Sequence, residues 1–455
     1  MTTLRLAIVG AGPAGIYAAD ILLKAEKKFD VSIDLFEQLP APYGLVRYGV
    51  APDHPRIKGI INALRNVVDS GQIRLFGNVL YGRDITLDDL KSHYNAVIFS
   101  TGAVRSAGLD IPGVHLPGSY GAAEFVSWYD GHPDVPRTWP MVHHEVAVIG
   151  NGNVALDVTR MLAKHPDALL PTEIPANVYE VLKASPVTDV HIFGRRGPYQ
   201  VKFTPLELRE LGELDDVDII LDDDDFVIDP ASQLAIDTNK QVLVLSRIMN
   251  SWRARETGTA SRRLHLHFYA KPVEIVGGPQ AGSETEGVTA IRFERTRPNG
   301  EGGVIGTGEI REIPVQAVYH AIGYFGSSLP GIPFDDRRGV IPNREGQVLD
   351  DDDQLVHGVY ATGWIKRGPV GLIGSTKSDA METVKHLIHD QANWWSPVHP
   401  EPEAVVELLK GRGVEYTNLA GWHALDLHEL ALGEAVGRTR IKVVPRDELV
   451  KISRA

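Results

Sequence analysis

The sequence predicts an α/β protein made of two units with mostly parallel sheets, one of them inserted into the other. A strand, a glycine-rich turn and a helix follow one another at residues 4–26 and again at 145–164. Strands and helices alternate after each of these points, which is typical of parallel sheets covered by helices. Three apolar runs that stop at a glycine, at 96–103, 317–324 and 358–364, mark the ends of buried strands.

The three apolar runs also predict how the two units are connected. The first run closes the first unit near residue 104, and the second run follows about 215 residues later. We therefore expect residues 1–104 and 319–455 to form one domain, and residues 105–318 to form a domain inserted into it. The tail beyond about residue 400 reads as helices and one short strand at 440–444.

Length and composition limit the classes of protein to consider. A chain of 455 residues is longer than one hydrophobic core usually serves, so two domains are expected. With 46 basic and 59 acidic side chains the formal charge is −13, which disfavours nucleic acid as a partner. Neither a secretory leader nor an apolar run long enough to span a membrane is found, so we expect no membrane span and a cytoplasmic location. No coiled-coil heptads call for an oligomer, which leaves the oligomeric state open and a monomer compatible with the sequence.

The absence of cysteine excludes several kinds of redox centre. With 0 cysteines the chain itself cannot supply a disulfide, a thiolate metal site, an iron–sulfur cluster or a dithiol pair. The histidine pairs at 143–144 and at 386 and 389 have no third ligand at a suitable spacing. The sequence therefore predicts no metal site.

The first glycine-rich turn has the spacing and surroundings of a dinucleotide site. Gly10 permits a tight turn, Gly12 lets the backbone approach a pyrophosphate, and Gly15 allows close packing of helix on strand. The free N–H groups at the start of the helix then face the phosphates. Glu37 ends the next strand about 22 residues after Gly15, where a carboxylate binds a ribose and rejects a 2′-phosphate. This turn favours FAD or NAD over NADP.

The second turn repeats the pattern with a different ending. Gly150 and Gly152 are followed by Ala155 in the third position, which the fingerprint tolerates. The second strand here ends in Arg195 and Arg196, and fork-shaped guanidinium groups suit a 2′-phosphate. One acid-tipped and one arginine-tipped site indicate a flavin and a nicotinamide, whose rings the protein has to bring together. We therefore expect two Rossmann-like dinucleotide-binding domains, with the NADP domain inserted into the FAD domain.

At this point the residues resemble a known family, the adrenodoxin-reductase-type ferredoxin–NADP(+) reductases, and most closely its stand-alone actinobacterial members. The matching segments cover nearly the whole chain in order. They are "VGAGPAG" at 9–15, "PYGLVRYGVAPDHPRIK" at 42–58, "GNGNVALDVTR" at 150–160, "GRRGP" at 194–198, "TPLELREL" at 204–211 and "GWIKRGPVGLIGSTKSDA" at 363–380. The resemblance implies an FAD enzyme that passes hydride from NADPH to flavin and single electrons to a ferredoxin, reversibly.

The resemblance also implies roles for individual residues. The implied FAD contacts are Gly10, Gly12, Ala14, Gly15, Glu37, Leu45, Val79, Trp364, Gly371, Leu372 and Ile373. The implied NADP contacts are Asn151, Gly152, Asn153, Val154, Arg195, Arg196, Glu207 and Gly371. His54 and Glu210 match a pair that influences hydride transfer, although each could equally be structural.

Some local features add expectations of their own. Glu207 could orient an arginine of the Arg195–Arg196 pair by a carboxylate–guanidinium contact. The turn at 371 opens a helix, with Ser375 or Ser378 as a possible N-cap. Because ferredoxins are usually acidic, a basic docking face is expected. Its candidate residues are Arg47, Arg56, Lys58, Arg247, Arg253, Arg255, Arg262 and Arg263.

Other functions remain open on the sequence alone. An NADPH-dependent flavin monooxygenase needs no signature residue, and a diaphorase or quinone reductase would use the same two nucleotide sites. A flavoprotein that senses NADPH without turnover is the alternative outside enzymes. Disulfide reductases and glutamate-synthase-type subunits require cysteines that the chain lacks.

Overall fold

The computed structural model describes residues 3–279, 286–371 and 373–455, with the backbone alone for residue 373. Its strands are β1 (Thr3–Val9), β2 (Asp30–Phe36), β3 (Ile73–Phe76), β4 (Ala96–Phe99), β5 (Arg105–Ser106), β6 (Ser119–Gly121), β7 (Glu145–Ile149), β8 (Asp189–Phe193), β9 (Val217–Leu221), β10 (Arg262–His267), β11 (Ala270–Pro279), β12 (Glu286–Pro298), β13 (Val304–Pro314), β14 (Ala317–His320), β15 (Tyr324–Phe325), β16 (Asn343–Arg344), β17 (Gln347–Leu349) and β18 (Leu355–Ala361).

The helices surround the sheets and close the C-terminal end. They are α1 (Pro13–Lys24), α2 (Leu45–Tyr48), α3 (Pro55–Lys58), α4 (Ile60–Val68), α5 (Leu87–His93), α6 (Ala122–Tyr129), α7 (Asn153–Ala163), α8 (Ala176–Lys183), α9 (Pro205–Leu211), α10 (Pro230–Thr238), α11 (Lys240–Arg253), α12 (Trp364–Arg367), α13 (Ile373–His389), α14 (Pro402–Gly411), α15 (Leu419–Glu434) and α16 (Arg446–Ser453). None of the helices in the described part of the chain has the length and apolar character that a membrane crossing needs.

The first sheet combines strands from both ends of the chain. Its order is β16-β17-β18-β4-β1-β2-β3, and β18 pairs in parallel with β4 although more than half the chain separates them. Strands β1 and β4 in the middle of the sheet are nearly continuous apolar runs, as expected where helices cover both faces. Helix α1 packs against α13 on one face, so the glycine turn before α1 lies beside the chain segment that leads into α13.

The second sheet is parallel throughout, with the order β6-β14-β7-β8-β10-β9. Strand β14 belongs to it, since Ala317 lies opposite Val146 and His320 lies opposite Ile149. The domain boundary predicted between residues 318 and 319 would divide this strand, so it has to move to a point after His320. Both sheets contain apolar strands that stop at a glycine, and this local pattern does not tell which sheet a strand joins.

The two connections between the sheets run side by side. Strand β5 leaves the first sheet, β15 returns to it, and the two pair antiparallel, with Tyr324 opposite Ser106 and Phe325 opposite Arg105. The backbone N–H of Val104 also donates to the Phe325 carbonyl at 3.0 Å, which extends the pairing by one residue. A second layer, the antiparallel sheet β11-β12-β13, covers one face of the second sheet through Phe193, Phe293 and their apolar neighbours.

The C-terminal segment ties the two halves together through buried polar groups. The predicted strand at 440–444 does not form, and these residues instead follow an irregular path between α15 and α16. The ammonium of Lys442, with a fully buried side chain, donates to the carbonyls of Arg47 at 2.6 Å and Asp130 at 3.0 Å. The same ammonium forms an ion pair with Glu173 Oε1 at 2.8 Å, so one charge holds segments from three parts of the chain.

A buried carboxylate in α15 allows a test of how much these buried polar contacts of the C-terminal segment stabilise the fold. Glu429 is fully buried and accepts from Arg47 at 2.6 Å and from Arg440 at 3.0 Å. Because Glu429→Gln removes the counter-charge of the buried Arg47, while Arg440 keeps its pair with Asp426, we expect it to lower the free energy of unfolding by about 3–5 kcal/mol. Glu407→Gln, which removes an exposed partner of Lys410, is the control and should cost less than about 1 kcal/mol. Denaturant midpoints of the two variants measure the difference, and equal midpoints would contradict the expectation.

Candidate active site

The first glycine turn leaves an open, uncapped helix end. Gly10 has φ +110°, and a Cβ there would lie 2.5 Å from the Ser100 carbonyl oxygen. A Cβ on Gly15 would lie 2.2 Å from the Gly10 oxygen, so neither position accepts a side chain. At Gly12, in contrast, a Cβ would meet only the Cα of Gly44 at 3.9 Å, and α1 begins without a side-chain cap. The free N–H groups and the positive helix end form a cradle that fits a pyrophosphate.

Glu37 lies against this turn. Its side chain is buried, and its carboxylate accepts from the N–H groups of Ala11 at 2.9 Å and Leu39 at 3.1 Å. Burial raises the pKa of Glu37, and the backbone hydrogen bonds oppose that rise. Two N–H donors leave lone pairs free on a carboxylate, so Glu37 can also accept from ribose hydroxyls. A 2′-phosphate beside it would meet like charge.

The remaining residues expected to contact FAD lie on several elements around the turn. Leu45 begins α2, and the N–H of buried Val79 donates to the Glu37 carbonyl at 2.9 Å. Ala14 packs so closely on Gly363 that a Cβ there would lie 2.6 Å from the Ala14 methyl group. Trp364 follows Gly363 directly and begins α12, and its ring lies 6.2 Å from that of Tyr324.

The segment after α12 completes this side of the site. Gly371 has φ +86°, Leu372 lies outside the described residues, and α13 begins at Ile373, whose side chain is not described either. Ser375 and Ser378 therefore lie inside the first turns of α13, and the predicted serine N-cap is not formed by them. Sequence reasoning missed Asp379, whose carboxylate accepts from the Gly363 N–H at 2.5 Å and fixes the turn before Trp364.

The second glycine turn has the same construction at the end of β7. Gly150 has φ +151°, and a Cβ there would lie 2.3 Å from the Ala321 carbonyl oxygen. Gly152 is open, with nothing within 4 Å of a Cβ, and Val154 lies in the first turn of α7, which has no side-chain cap. Asn153 accepts from the Thr204 N–H at 2.9 Å, which fixes the loop before α9 beside the turn.

Three polar side chains next to this turn have capacity for a ligand. The amide nitrogen of Asn151 is buried without a hydrogen-bond partner among the described residues. Arg195 is exposed and Arg196 is partly exposed, and within the same residues no carboxylate pairs with either guanidinium. Their backbone is held by Thr296 Oγ1, which donates to the Arg195 carbonyl at 2.7 Å, and by the Tyr269 N–H, which donates to the Arg196 carbonyl at 3.1 Å. Both guanidinium groups are therefore available to a phosphate.

His54 lies in a buried ionic cluster where the two halves of the chain meet. Its Nε2 is 2.7 Å from Asp157 Oδ1 and 3.1 Å from Glu207 Oε2, and its Nδ1 is 3.0 Å from Glu210 Oε2. The expected pair of His54 and Glu210 is thus in direct contact. Glu207 faces His54, so the expected contact between Glu207 and Arg195 or Arg196 does not form.

The charge on His54 follows from these contacts. Burial by itself would lower its pKa, but hydrogen bonds to Asp157, Glu207 and Glu210 outweigh burial and raise the pKa to about 11. The imidazole is therefore protonated near neutral pH. It can donate hydrogen bonds and hold positive charge there, and it cannot act as a general base.

Arg160 is the centre of the same cluster. Its side chain is buried in α7, and it donates to both carboxylate oxygens of Asp53, at 2.8 and 3.0 Å, and to Asp157 at 2.9 Å. Lys164 adds a 2.6 Å contact to Asp53, and the two cations hold the pKa of Asp53 well below its usual range. A cavity of about 290 Å³ opens between these residues and α9. Sequence reasoning found His54 and missed Arg160, because one arginine in a helix carries no local signal.

Similarity to known proteins extends over the whole chain. Residues 4–192 match the family described as pyridine nucleotide-disulphide oxidoreductase. The chain is 39% identical to the NADPH-ferredoxin reductase FprA of Mycobacterium tuberculosis, with 98% of both chains covered. It is 38% identical to the mitochondrial NADPH:adrenodoxin oxidoreductase of Homo sapiens, with 99% of this chain and 92% of that protein covered. The solved structure of M. tuberculosis FprA in complex with NADPH superposes with a TM-score of 0.89 at 38% identity, over 100% of both chains.

The His54 cluster predicts a pH dependence of stability. Because its pKa is about 11 in the folded protein and near 6.5 in an unfolded chain, His54 contributes fully below about pH 6.5. That contribution decreases as the pH rises and is lost as the pH passes the folded-state value. We expect wild type to exceed His54→Gln in free energy of unfolding by most at the low end of this window and by progressively less toward its high end.

Denaturant unfolding at a series of pH values measures this difference. Asp157→Asn is the matched variant, since removing one carboxylate should lower the pKa of His54 and shift the whole profile to lower pH. A difference between wild type and His54→Gln that stays constant across the series would contradict the assignment of a protonated His54.

Proposed function

We propose that this chain, which belongs to the family of the NADPH–ferredoxin and NADPH–adrenodoxin reductases, is an FAD-dependent oxidoreductase that transfers electrons between NADPH and a ferredoxin. The observation that carries the proposal is the pair of uncapped helix ends, one beside Glu37 and the other beside Arg195 and Arg196. A carboxylate at the first and two free guanidinium groups at the second distinguish a ribose without a 2′-phosphate from one that bears it.

The residues of the first site fit FAD. The open face of Gly12, the uncapped start of α1 and the free lone pairs of Glu37 suit a pyrophosphate and its ribose. We propose the other FAD contacts as expected from the sequence, at Ala14, Leu45, Val79 and Trp364. Bound there, FAD supplies the ability to accept two electrons as hydride and to release them singly.

The residues of the second site fit NADP(H). Asn151, Gly152, Asn153 and Val154 surround the uncapped start of α7, where the pyrophosphate would bind. Arg195 and Arg196 would bind the 2′-phosphate by charge-assisted hydrogen bonds. Gly371 comes from the opposite half of the chain, between α12 and α13.

His54, Glu207 and Glu210 have a positioning role in this proposal. Their contacts join α3 of the first half to α9 of the second, so they fix the angle at which the two nucleotide sites face each other. The His54 ring contacts three carboxylates and, 2.6 Å from Nε2, the Arg160 guanidinium. With a proton on each ring nitrogen it has no lone pair with which to take another. The influence on hydride transfer that the family resemblance implies for His54 and Glu210 would then come through the placement of the nicotinamide, where a small misplacement is costly.

Fewer arginine and lysine side chains are available to a ferredoxin than the sequence predicted for the docking face. Arg47 and Lys58 are buried and cannot contact a partner. The guanidinium groups of Arg253 and Arg263 pair with Asp223 and Asp189. Arg262 donates to the backbone of α7. The exposed candidates that remain are Arg56, Arg247 and Arg255.

Anaerobic mixing tests the whole proposal. The FAD-loaded protein is mixed with NADPH, and an oxidised low-potential ferredoxin is then added while both spectra are followed. Flavin bleaching followed by catalytic ferredoxin reduction that weakens with salt is expected. Bleaching without ferredoxin reduction would contradict the choice of partner. A hydroxylated product in air would indicate a monooxygenase. Turnover with quinones alone would indicate a diaphorase, and binding without turnover would indicate an NADPH sensor.

The cytoplasmic location and the monomeric state remain predictions from the sequence.

The two arginines predict the nucleotide preference. Arg195→Ala and Arg196→Ala should each raise the KM for NADPH by about tenfold to a hundredfold, because each removes a charge-assisted hydrogen bond worth roughly 1.5–3 kcal/mol. The KM for NADH should change little, since NADH has no 2′-phosphate. Steady-state reduction of ferricyanide measures both, and the exposed Arg344→Ala is the control. An equal loss for NADH and NADPH would refute 2′-phosphate binding by these residues.

A further inference from the structure

A second cluster of ligand-type side chains lies on one face of the second sheet, away from the glycine turns. Asp189 and His191 alternate along β8, and His265 and His267 alternate along β10. The two strands are parallel neighbours in which His265 lies opposite His191. The period of two places these four side chains on the same face. The rings of His191 and His265 stack with centroids 4.3 Å apart.

Three of these residues offer one ligand atom each within a small space. The ligand atoms of Asp189, His191 and His265 all lie within 4.8 Å of one another. The edges of a tetrahedral zinc site measure about 3.4 Å for bonds of roughly 2.1 Å, so side-chain rotations that shorten the longest separation by up to about 1.4 Å close the set. His265 Nε2 already contacts Asp189 Oδ1 at 2.9 Å.

His191 is prepared as a ligand by its other contacts. Its side chain is 6% exposed, and its Nε2 is buried without a hydrogen-bond partner among the residues that the structure describes. Its Nδ1 lies 3.0 Å from His267 Nε2. With the Nδ1 proton donated to His267, Nε2 keeps its lone pair. Histidines that bind metals commonly donate their other ring N–H in this way.

The donor types of the cluster also suit a transition metal. Asp189 offers a carboxylate oxygen, and His191 and His265 each offer a ring nitrogen. Zn²⁺ takes these ligand types, and three protein ligands leave a fourth position for water.

We propose that Asp189, His191 and His265 form a binding site for a divalent transition-metal ion of the Zn²⁺ class, with water as the fourth ligand. The metal takes the place of the proton between His265 Nε2 and Asp189 Oδ1, that proton is released to solvent, and His265 holds its remaining ring proton on Nδ1. His267 orients His191 from behind. Arg263, half exposed and bonded to both oxygens of Asp189 at 2.6 Å, remains on the solvent side as a second hydrogen-bonding partner of the carboxylate. This site is independent of the proposed function.

The spacing of residues along the chain does not predict this metal site. His265 lies more than 70 positions after Asp189 and His191 in the chain, and the parallel pairing of β8 with β10 brings them together. The histidine pairs that the sequence did single out show no such arrangement among the described residues. His386 pairs with Glu345, and His389 contacts the Lys385 carbonyl on its own helix.

Metal titration of the FAD-loaded protein tests the site. After treatment with a chelator and dialysis, Zn²⁺ is added in a calorimeter, and Co²⁺ is added while the difference spectrum against the metal-free flavoprotein is recorded. We expect one equivalent of Zn²⁺ and the d–d bands of a tetrahedral cobalt site. His265→Gln and Asp189→Asn should each weaken binding by more than about tenfold, and His267→Asn, which acts only through His191, by about tenfold.

The control is the double variant His386→Gln/His389→Gln, which removes two surface histidines and should leave binding unchanged. Flavin content and thermal midpoint show that each variant is folded, and His265 is the most accessible ligand to replace because its side chain is 20% exposed. Absence of saturable Zn²⁺ binding by wild type overturns the proposal. Binding that His265→Gln leaves intact, or that the surface double variant abolishes, overturns it equally.

Discussion

The buried guanidinium of Arg160 is the interaction on which the arrangement of the two nucleotide sites depends. It lies in α7, about two helical turns after the start of that helix, and binds both oxygens of Asp53 in the loop that precedes α3. A buried charge pair contributes little net stability, but removing one partner leaves the other uncompensated, so the two halves are confined to one relative position. His54, Glu207 and Glu210 add further contacts across the same junction.

The C-terminal segment adds further contacts between the two halves. Lys442 bridges the carbonyls of Arg47 and Asp130, which lie in different halves, while Arg438 donates to the carbonyls of Leu170 and Ile174. In these contacts single long side chains reach backbone carbonyl groups, and those of Asp130, Leu170 and Ile174 belong to the other half. Because each contact satisfies a buried polar group, displacing the segment would leave those groups unpaired. The tail therefore has a structural reason to be present, which its sequence alone did not reveal.

The elements that could be predicted from sequence are those with a local pattern. Gly10, Gly12, Gly15 and Glu37 follow one another at fixed spacing, so the first turn and its acid are recognisable from the chain alone. Contacts between distant segments cannot be recognised from the chain alone. Nothing near Glu207 in the chain indicates that its carboxylate faces His54, and nothing in the run at 440–444 indicates that charges hold it away from a sheet. The run at 317–320 is recognisable as a strand, but the predicted boundary between residues 318 and 319 divides it, because a buried parallel strand looks alike in either sheet.

The paired connections at β5 and β15 have a consequence for modularity. Opposed residues of an antiparallel pair lie about 5 Å apart, so the inserted half begins and ends at practically one point. Such a stretch can be acquired, lost or exchanged as a cassette without disturbing the sheet that hosts it. The charged residues between the two halves restrict which inserted domains could be exchanged in this way. A host deprived of its cassette would present Asp53 and His54 to water, and any replacement would need a cation where Arg160 now lies.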